Sequence, residues 1–138
     1  MIVDTSVIVE ALVPGPWTAS ALLLVGSDIQ FFAPGHLRVE VGGALTRAVR
    51  RRDITVEYAT RAYADLPRVL PHLESTASLL DRGFALSLEL SHPMYDCLFL
   101  AHAEQRAMLL VTADRRFVDK VQTTLYAQRV VHLADWRP

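Results

Sequence analysis

Short, unbroken apolar runs alternate along this chain with longer segments of helical character, and this alternation constrains the fold more than any other feature. Four runs are predicted as strands: residues 1–4, 29–34, 108–112 and 129–133. A weaker run at 68–73 is interrupted by proline, which is typical of an edge strand. Because strands without polar alternation are buried on both faces, we predict an α/β fold with three layers, α/β/α, around a central, mostly parallel sheet of about five strands.

Helical signals fill the segments between these runs. The predicted helices span, approximately, residues 6–12, 16–26, 36–52, 55–65, 76–90, 93–106 and 114–121. Thr5 or Ser6 can cap the first of them. The third carries an apolar stripe of Leu37, Val41, Ala44, Leu45 and Ala48. The fifth keeps an apolar period at Ala77, Leu80, Phe84 and Leu88.

Composition narrows the classes of protein that remain. The chain of 138 residues shows neither repeats nor a linker, so we predict a single domain, 1–138. The single Cys97 excludes an internal disulfide and fits a reducing compartment. Asp4 and Glu10 interrupt the first apolar stretch, so we expect neither a signal peptide nor a membrane span, and a cytoplasmic protein. The net charge of −1 indicates that any contact with a polyanion is local.

Four acidic residues stand at unusual places in this pattern. Asp4 closes the first strand and Asp114 follows the strand at 108–112, and carboxyl ends of parallel strands share one edge of a sheet. Glu40 and Asp96 interrupt otherwise apolar helical faces. Taken singly, each has a plain structural interpretation, as a helix cap, a half-exposed helical residue or a partner of a helix dipole.

Taken together, the acids indicate a cation site. Two carboxylates about 4 Å apart repel by roughly 4 kcal/mol at an effective dielectric constant of 20, so a cluster of them needs a counter-charge. Oxygen ligands favour hard ions, Mg²⁺ or Mn²⁺. Such ions bind phosphates and lower the pKa of a bound water, which is the chemistry of phosphodiester hydrolysis.

Four segments in order, VDTS, RVEVGGAL, HPMYDCLFLAHAE and LLVTADRRF, resemble the acidic motifs of PIN-domain ribonucleases, in particular the VapC toxins of bacterial type II toxin–antitoxin modules. The resemblance covers essentially the whole chain and implies a PIN-like fold. It assigns the catalytic acidic quartet to Asp4, Glu40, Asp96 and Asp114. It implies that Asp4 and Asp96 bind Mg²⁺ or Mn²⁺. Ser6 and Thr112 match small hydroxyl positions that line the site, and Asp119 lies outside the core set.

The resemblance also implies an activity and partners. We predict a metal-dependent endoribonuclease that hydrolyses RNA through a water activated by the metal at Asp4 and Asp96, with Glu40 or Asp114 positioning the water. The family is further expected to form a homodimer and to bind a VapB-like antitoxin, through the early helices and the helix near residues 55–65.

The sequence is also compatible with other functional classes, which its residues support to different degrees. A PIN-fold nuclease that acts on DNA, or in RNA processing without an antitoxin, shares the same motifs. A phosphatase with an aspartyl nucleophile would have a second Asp where Ser6 stands, and a receiver domain would need a later lysine, whereas Lys120 is the only one. A non-catalytic binding module gives no reason for four intact acids.

Basic and aromatic residues give weaker signals. A cluster of arginines lies at the far end of the helix that carries Glu40. It is either a solvated helix end or a local patch that contacts RNA phosphates, and its members are Arg47, Arg50, Arg51 and Arg52. The histidines show no metal-ligand spacing, although His92 could approach the site. We interpret Cys97 as a small buried residue, and Tyr95 and Trp136 as packing residues.

Overall fold

A computed structural model describes residues 1–70 and 72–137. Its strands are β1 (Ile2–Val3), β2 (Phe32–Pro34), β3 (His72–Glu74), β4 (Leu110–Thr112) and β5 (Val130–His132). They form one sheet in the order β3-β2-β1-β4-β5, and every neighbouring pair is parallel. The predicted α/β class and PIN-like arrangement with about five strands are therefore confirmed, with a sheet that is parallel throughout.

The strand order places β1 at a topological switch point. The chain leaves β1 to pair β2 on one side and later returns to pair β4 on the other, with Val3 opposite Val111 in register. In open parallel sheets, ligands bind beyond the carboxyl ends of the strands at such a point. A ligand site is therefore expected at the turns that follow β1 and β4.

The helices follow the predicted segments closely. They are α1 (Thr5–Leu12), α2 (Thr18–Val25), α3 (Leu37–Arg50), α4 (Val56–Val69), α5 (Leu80–Leu90), α6 (Met94–Arg106) and α7 (Arg115–Val121), with a 3₁₀ turn (Thr76–Leu79) before α5. The predicted apolar stripe of α3 faces the core, since Leu37, Val41, Leu45 and Ala48 are buried.

Several predicted boundaries were wrong. Helix α2 begins at Thr18 instead of residue 16, and β2 starts only at Phe32. The run at 68–73 is divided, because α4 continues through Pro67 to Val69 and β3 begins at His72. Pro71, also part of that run, lies outside the described residues.

The apolar period of α5 marks an exposed face. Leu80, Phe84 and Leu88 are 45%, 57% and 66% exposed, whereas Gly83 and Leu86 are buried. The cause is close packing against α6: a Cβ on Gly83 would lie 2.5 Å from Cδ2 of Leu98. Because Gly83 has no side chain, α6 packs closely against that face of α5, and Leu80, Phe84 and Leu88 on the opposite face point to solvent.

The core is densest around α6, where every residue from Cys97 to Ala103 is buried. The helix packs against β1, β2 and β4, so its first turn is held above the middle of the sheet. Trp136 is buried as expected, but Tyr95 is 61% exposed and is not a packing residue. Within the described residues, no helix is both long and apolar enough to span a bilayer.

Candidate metal centre

Asp4 is the residue where β1 turns into α1. Its side chain caps the helix, with the Val7 N–H donating to Oδ1 at 3.2 Å. The Ser6 hydroxyl donates to the same oxygen at 2.6 Å, and the Thr112 hydroxyl donates to Oδ2 at 2.5 Å. Asp4 itself is therefore the cap, and the expectation that Thr5 or Ser6 caps the helix was wrong.

The same two hydroxyls connect the turn after β1 to the turn after β4. The Ala113 N–H donates to the Ser6 hydroxyl at 2.7 Å, and the Asp114 N–H donates to the Thr112 hydroxyl at 2.9 Å. Asp114 in turn caps α7, because its Oδ1 accepts from the Arg116 N–H at 2.8 Å. Ser6 and Thr112 thus fix two strand-end carboxylates relative to each other.

Glu40 lies in the first turn of α3 and contacts α1. The Thr5 hydroxyl donates to its Oε2 at 2.6 Å, and His36 Nε2 lies 3.7 Å from the same oxygen. Thr5 follows Asp4 in the chain and hydrogen-bonds Glu40, so it links the positions of the two acids.

Asp96 lies in the first turn of α6 and pairs with a histidine. His92 Nε2 is 2.8 Å from Asp96 Oδ2, and the imidazole stacks on Phe117, with ring centroids 4.7 Å apart. His92, Asp96 and Asp114 each offer a ligand atom within 4.8 Å of the others. The sequence indicated only that His92 could approach the site, and its spacing of four residues from Asp96 is the signal that would have paired the two.

The electrostatics show that the carboxylates share one region. Burial, with Asp96 adding repulsion, raises the pKa of Asp4 to about 7 against the stabilising hydroxyl contacts. Burial and the charge of Asp96 also raise the pKa of Glu40. The pKa of Asp96 is raised by burial and by Asp114, in opposition to His92. Burial and mutual repulsion thus disfavour the charged form of all three carboxyl groups, and a bound cation would offset both effects.

A small cavity of about 270 Å³ opens at this edge of the sheet. Its lining consists of Asp4, Thr5, Ser6, Val9, Ala44, Arg47, Asp96, Phe99 and Asp114. The structure thus brings three of the predicted acids to one cavity, with Glu40 joined through Thr5. The potential ligands are carboxylate oxygens, with the imidazole of His92 beside them. This set of donors fits Mg²⁺ or Mn²⁺.

The arginine cluster is divided by the geometry of α3. All four arginines are exposed, but Arg47 lines the acidic cavity, whereas Arg50, Arg51 and Arg52 lie at the far end of the helix. Ten or more residues separate them from Glu40, which is about 15–18 Å along a helix. The structure therefore does not bring these three arginines to the carboxylates, and their contact with RNA stays a prediction.

A parallel α/β sheet with carboxylates gathered beyond its switch point is typical of α/β proteins whose ligands bind at that edge, and these carboxylates could hold a divalent cation there. The family model of the PIN domain matches residues 1–121, and the chain belongs to the PIN-domain family. PIN domains are generally nucleases that use divalent metals, and the acidic residues here could bind one. No curated protein matches the chain.

Proposed function

We propose that this protein is a Mg²⁺- or Mn²⁺-dependent endoribonuclease and the toxin component of a VapBC-type toxin–antitoxin module. The observation that carries the proposal is the meeting of Asp4, Asp96 and Asp114 at one cavity, with Glu40 adjacent. A complete acidic quartet on a PIN fold supports catalysis in preference to a binding role.

Each residue has a role that its contacts support. Asp4 and Asp96 would hold the metal, with Ser6 and Thr112 fixing the orientation of Asp4. His92 does the same for Asp96 through their hydrogen bond. A bound divalent cation supplies Lewis acidity, which lowers the pKa of water and stabilises charge on the phosphate oxygens.

Glu40 and Asp114 would orient the attacking water and accept its proton. The Thr5 hydroxyl occupies Glu40 Oε2, and the α7 backbone occupies Asp114 Oδ1, so one oxygen of each carboxylate is available for a water. Burial raises the pKa of Glu40, which makes it a stronger base than an exposed glutamate.

Inducing the protein in a bacterial host and sequencing the 5′ ends of cellular RNA tests the activity. We expect new 5′-phosphate ends at defined sites, reproduced in vitro with purified protein and Mg²⁺ or Mn²⁺ and abolished by EDTA. Asp4→Asn is the control, because it retains the size of the side chain and removes the charge. Cleavage of DNA in place of RNA, or undiminished cleavage by Asp4→Asn, would contradict the proposal.

Two apolar grooves support the partner side of the proposal. A groove of about 730 Å³ lies between α3 and α4 and includes Leu45, Val49 and Tyr63. A second, of about 430 Å³, lies between α1, α2 and α4. Leu22, which lines the second groove, and the neighbouring Leu23 are 54% and 58% exposed. Apolar surface of this kind suits a second copy of the chain and the amphipathic segment of an antitoxin.

An Ala62→Arg variant tests the second groove, because Ala62 lines it and a long cation there would block an apolar occupant. We expect the wild-type protein to be a dimer in sedimentation and to co-purify with the product of the reading frame next to its gene. Ala62→Arg should lose that co-purification at least about tenfold while RNA cleavage is retained.

The matched control is Leu125→Arg, at a side chain that is 80% exposed and outside both grooves. A wild-type chain that stays monomeric at high concentration, or equal co-purification of Ala62→Arg and Leu125→Arg, would argue against these partners.

A further inference from the structure

Arg47 is a cationic residue in a cavity that is otherwise acidic. Among the described residues that line this cavity, it is the only cationic one, beside Asp4, Asp96 and Asp114. It lies seven residues after Glu40 on α3, so both side chains are on one face of the helix, about 10 Å apart along its axis. The charge of Arg47 lowers the pKa of Glu40, which places the guanidinium within electrostatic reach of the quartet.

The side chain of Arg47 extends back toward that quartet. Its Nη1 lies 3.4 Å from the position that a Cβ on Gly43, one turn earlier, would occupy. This direction is toward the start of α3 and the carboxyl edge of the sheet, away from Arg50, Arg51 and Arg52. Gly43 leaves open the space over which the guanidinium lies.

Arg47 is near carboxylates without pairing with one. Within residues 1–70 and 72–137, four arginines form ion pairs, among them Arg68 with Asp65 and Arg82 with Glu104, whereas Arg47, although it lines a cavity with three aspartates, has no carboxylate within 4.0 Å. A cation whose role was only to neutralise the acids would be expected to contact one of them. Its donors are therefore available to an anion that enters the cavity.

We propose that Arg47 binds the scissile phosphodiester, with its guanidinium donating to the non-bridging oxygens while the carboxylates hold the metal. This inference rests on the proposed function. A phosphate entering beside clustered carboxylates meets repulsion, and a positioned guanidinium offsets it. The planar fork of arginine matches two phosphate oxygens, which lysine cannot do in the same geometry.

The test compares Arg47→Gln and Arg47→Lys with wild type in cleavage of a single-stranded RNA oligonucleotide at saturating Mg²⁺ over a series of KCl concentrations. Arg47→Gln should lower kcat/KM about a hundred-fold. The slope of log kcat/KM against log salt should become shallower by about 0.7, the value for one lost phosphate contact on a single strand. Arg47→Lys should restore part of the rate and most of the salt slope.

Two further measurements separate binding of the phosphate from other roles. Mn²⁺ binding without RNA, followed by electron paramagnetic resonance, should be as tight in Arg47→Gln as in wild type. Arg68→Gln is the control, because Arg68 is exposed near the end of α4 that leads into β3, at the opposite edge of the sheet. This variant should keep the wild-type rate and slope.

Wild-type cleavage by Arg47→Gln, or a lower rate with an unchanged salt slope, would overturn the inference and leave the proposed function intact. Loss of Mn²⁺ binding in Arg47→Gln would also overturn it, because Arg47 would then act on the metal site. If the wild-type protein fails to cleave RNA with either metal, the proposed function and the inference both fall.

Discussion

Asp96→Asn is expected to lower kcat/KM for metal-dependent RNA cleavage at least about a thousand-fold, because it removes a charge from the position where the metal and the reacting phosphate would meet. Asp96 lies in the first turn of the buried helix α6, lines the cavity with Asp4 and Asp114, and is held by His92. Asparagine preserves the shape of the side chain. The loss should be visible in an assay of purified protein with labelled RNA and Mg²⁺ or Mn²⁺.

The same variant should be more stable than wild type when no metal is present. The pKa of Asp96 is raised by burial and by Asp114, which means that its surroundings favour the neutral form. A neutral amide removes that penalty, so we expect a higher Tm in EDTA, at unchanged circular dichroism. A variant that is inactive because it is unfolded would show the opposite shift.

Asp65→Asn is the matched control for Asp96→Asn. Asp65 is an exposed acid of α4 that pairs with Arg68, so its replacement should change neither cleavage nor the response of the Tm to metal. Cleavage by Asp96→Asn at the wild-type rate would remove Asp96 from the site.

The gathering of carboxylates at one edge of the sheet was predictable because it depends on strand ends. Asp4 and Asp114 each follow an apolar run, and in a parallel sheet the ends of β1 and β4 must be adjacent once the two strands pair. Glu40 and Asp96 were harder to place from residue patterns, because a helical acid has several structural interpretations. The resemblance of the ordered motifs to the PIN-domain family assigned Glu40 and Asp96 to the quartet. In the structure, both lie within electrostatic reach of the other acids.

The orientation of individual side chains was not predictable, for physical reasons that lie in packing. The outward face of α5 depends on the contact between Gly83 and Leu98, two residues on different helices. The pairing of His92 with Asp96 depends on how the chain bends at Pro93, and the path of Arg47 depends on the space over Gly43. Periodicity gives the spacing of residues along a helix, but the neighbouring elements decide which face is buried.

At an ion concentration about 100 times the dissociation constant measured at pH 8, divalent metal is expected to raise the Tm by about 5–10 °C at pH 8 and by almost nothing at pH 5, where its affinity is lower. Burial raises the pKa of Asp4 to about 7 and also raises the pKa of Glu40 and of Asp96. At pH 5 a proton occupies Asp4 and competes with the metal, whereas at pH 8 the carboxylate is free to bind it. Thermal unfolding followed across pH 5–8, in EDTA and in Mn²⁺, measures the difference.

Without metal, the pH dependence should have the opposite direction. An unfolded Asp titrates near its usual pKa of about 3.9, so between that pH and about 7 the folded protein holds a proton on Asp4 that the unfolded chain has released. The stability that this proton provides is fully present below about pH 4 and is lost as the pH rises toward 7. In EDTA, Asp4 thus makes the protein less stable at pH 8 than at pH 5.

Asp4→Asn isolates this contribution from that of every other titrating group, because asparagine keeps the volume of the side chain and cannot ionise. The difference in Tm between the variant and wild type in EDTA should therefore grow in favour of the variant from pH 5 to pH 8. The stabilisation by Mn²⁺ should disappear from the variant at every pH. A constant difference across this range would show that Asp4 titrates as an ordinary exposed carboxylate, and an undiminished response to Mn²⁺ would show that the metal binds elsewhere.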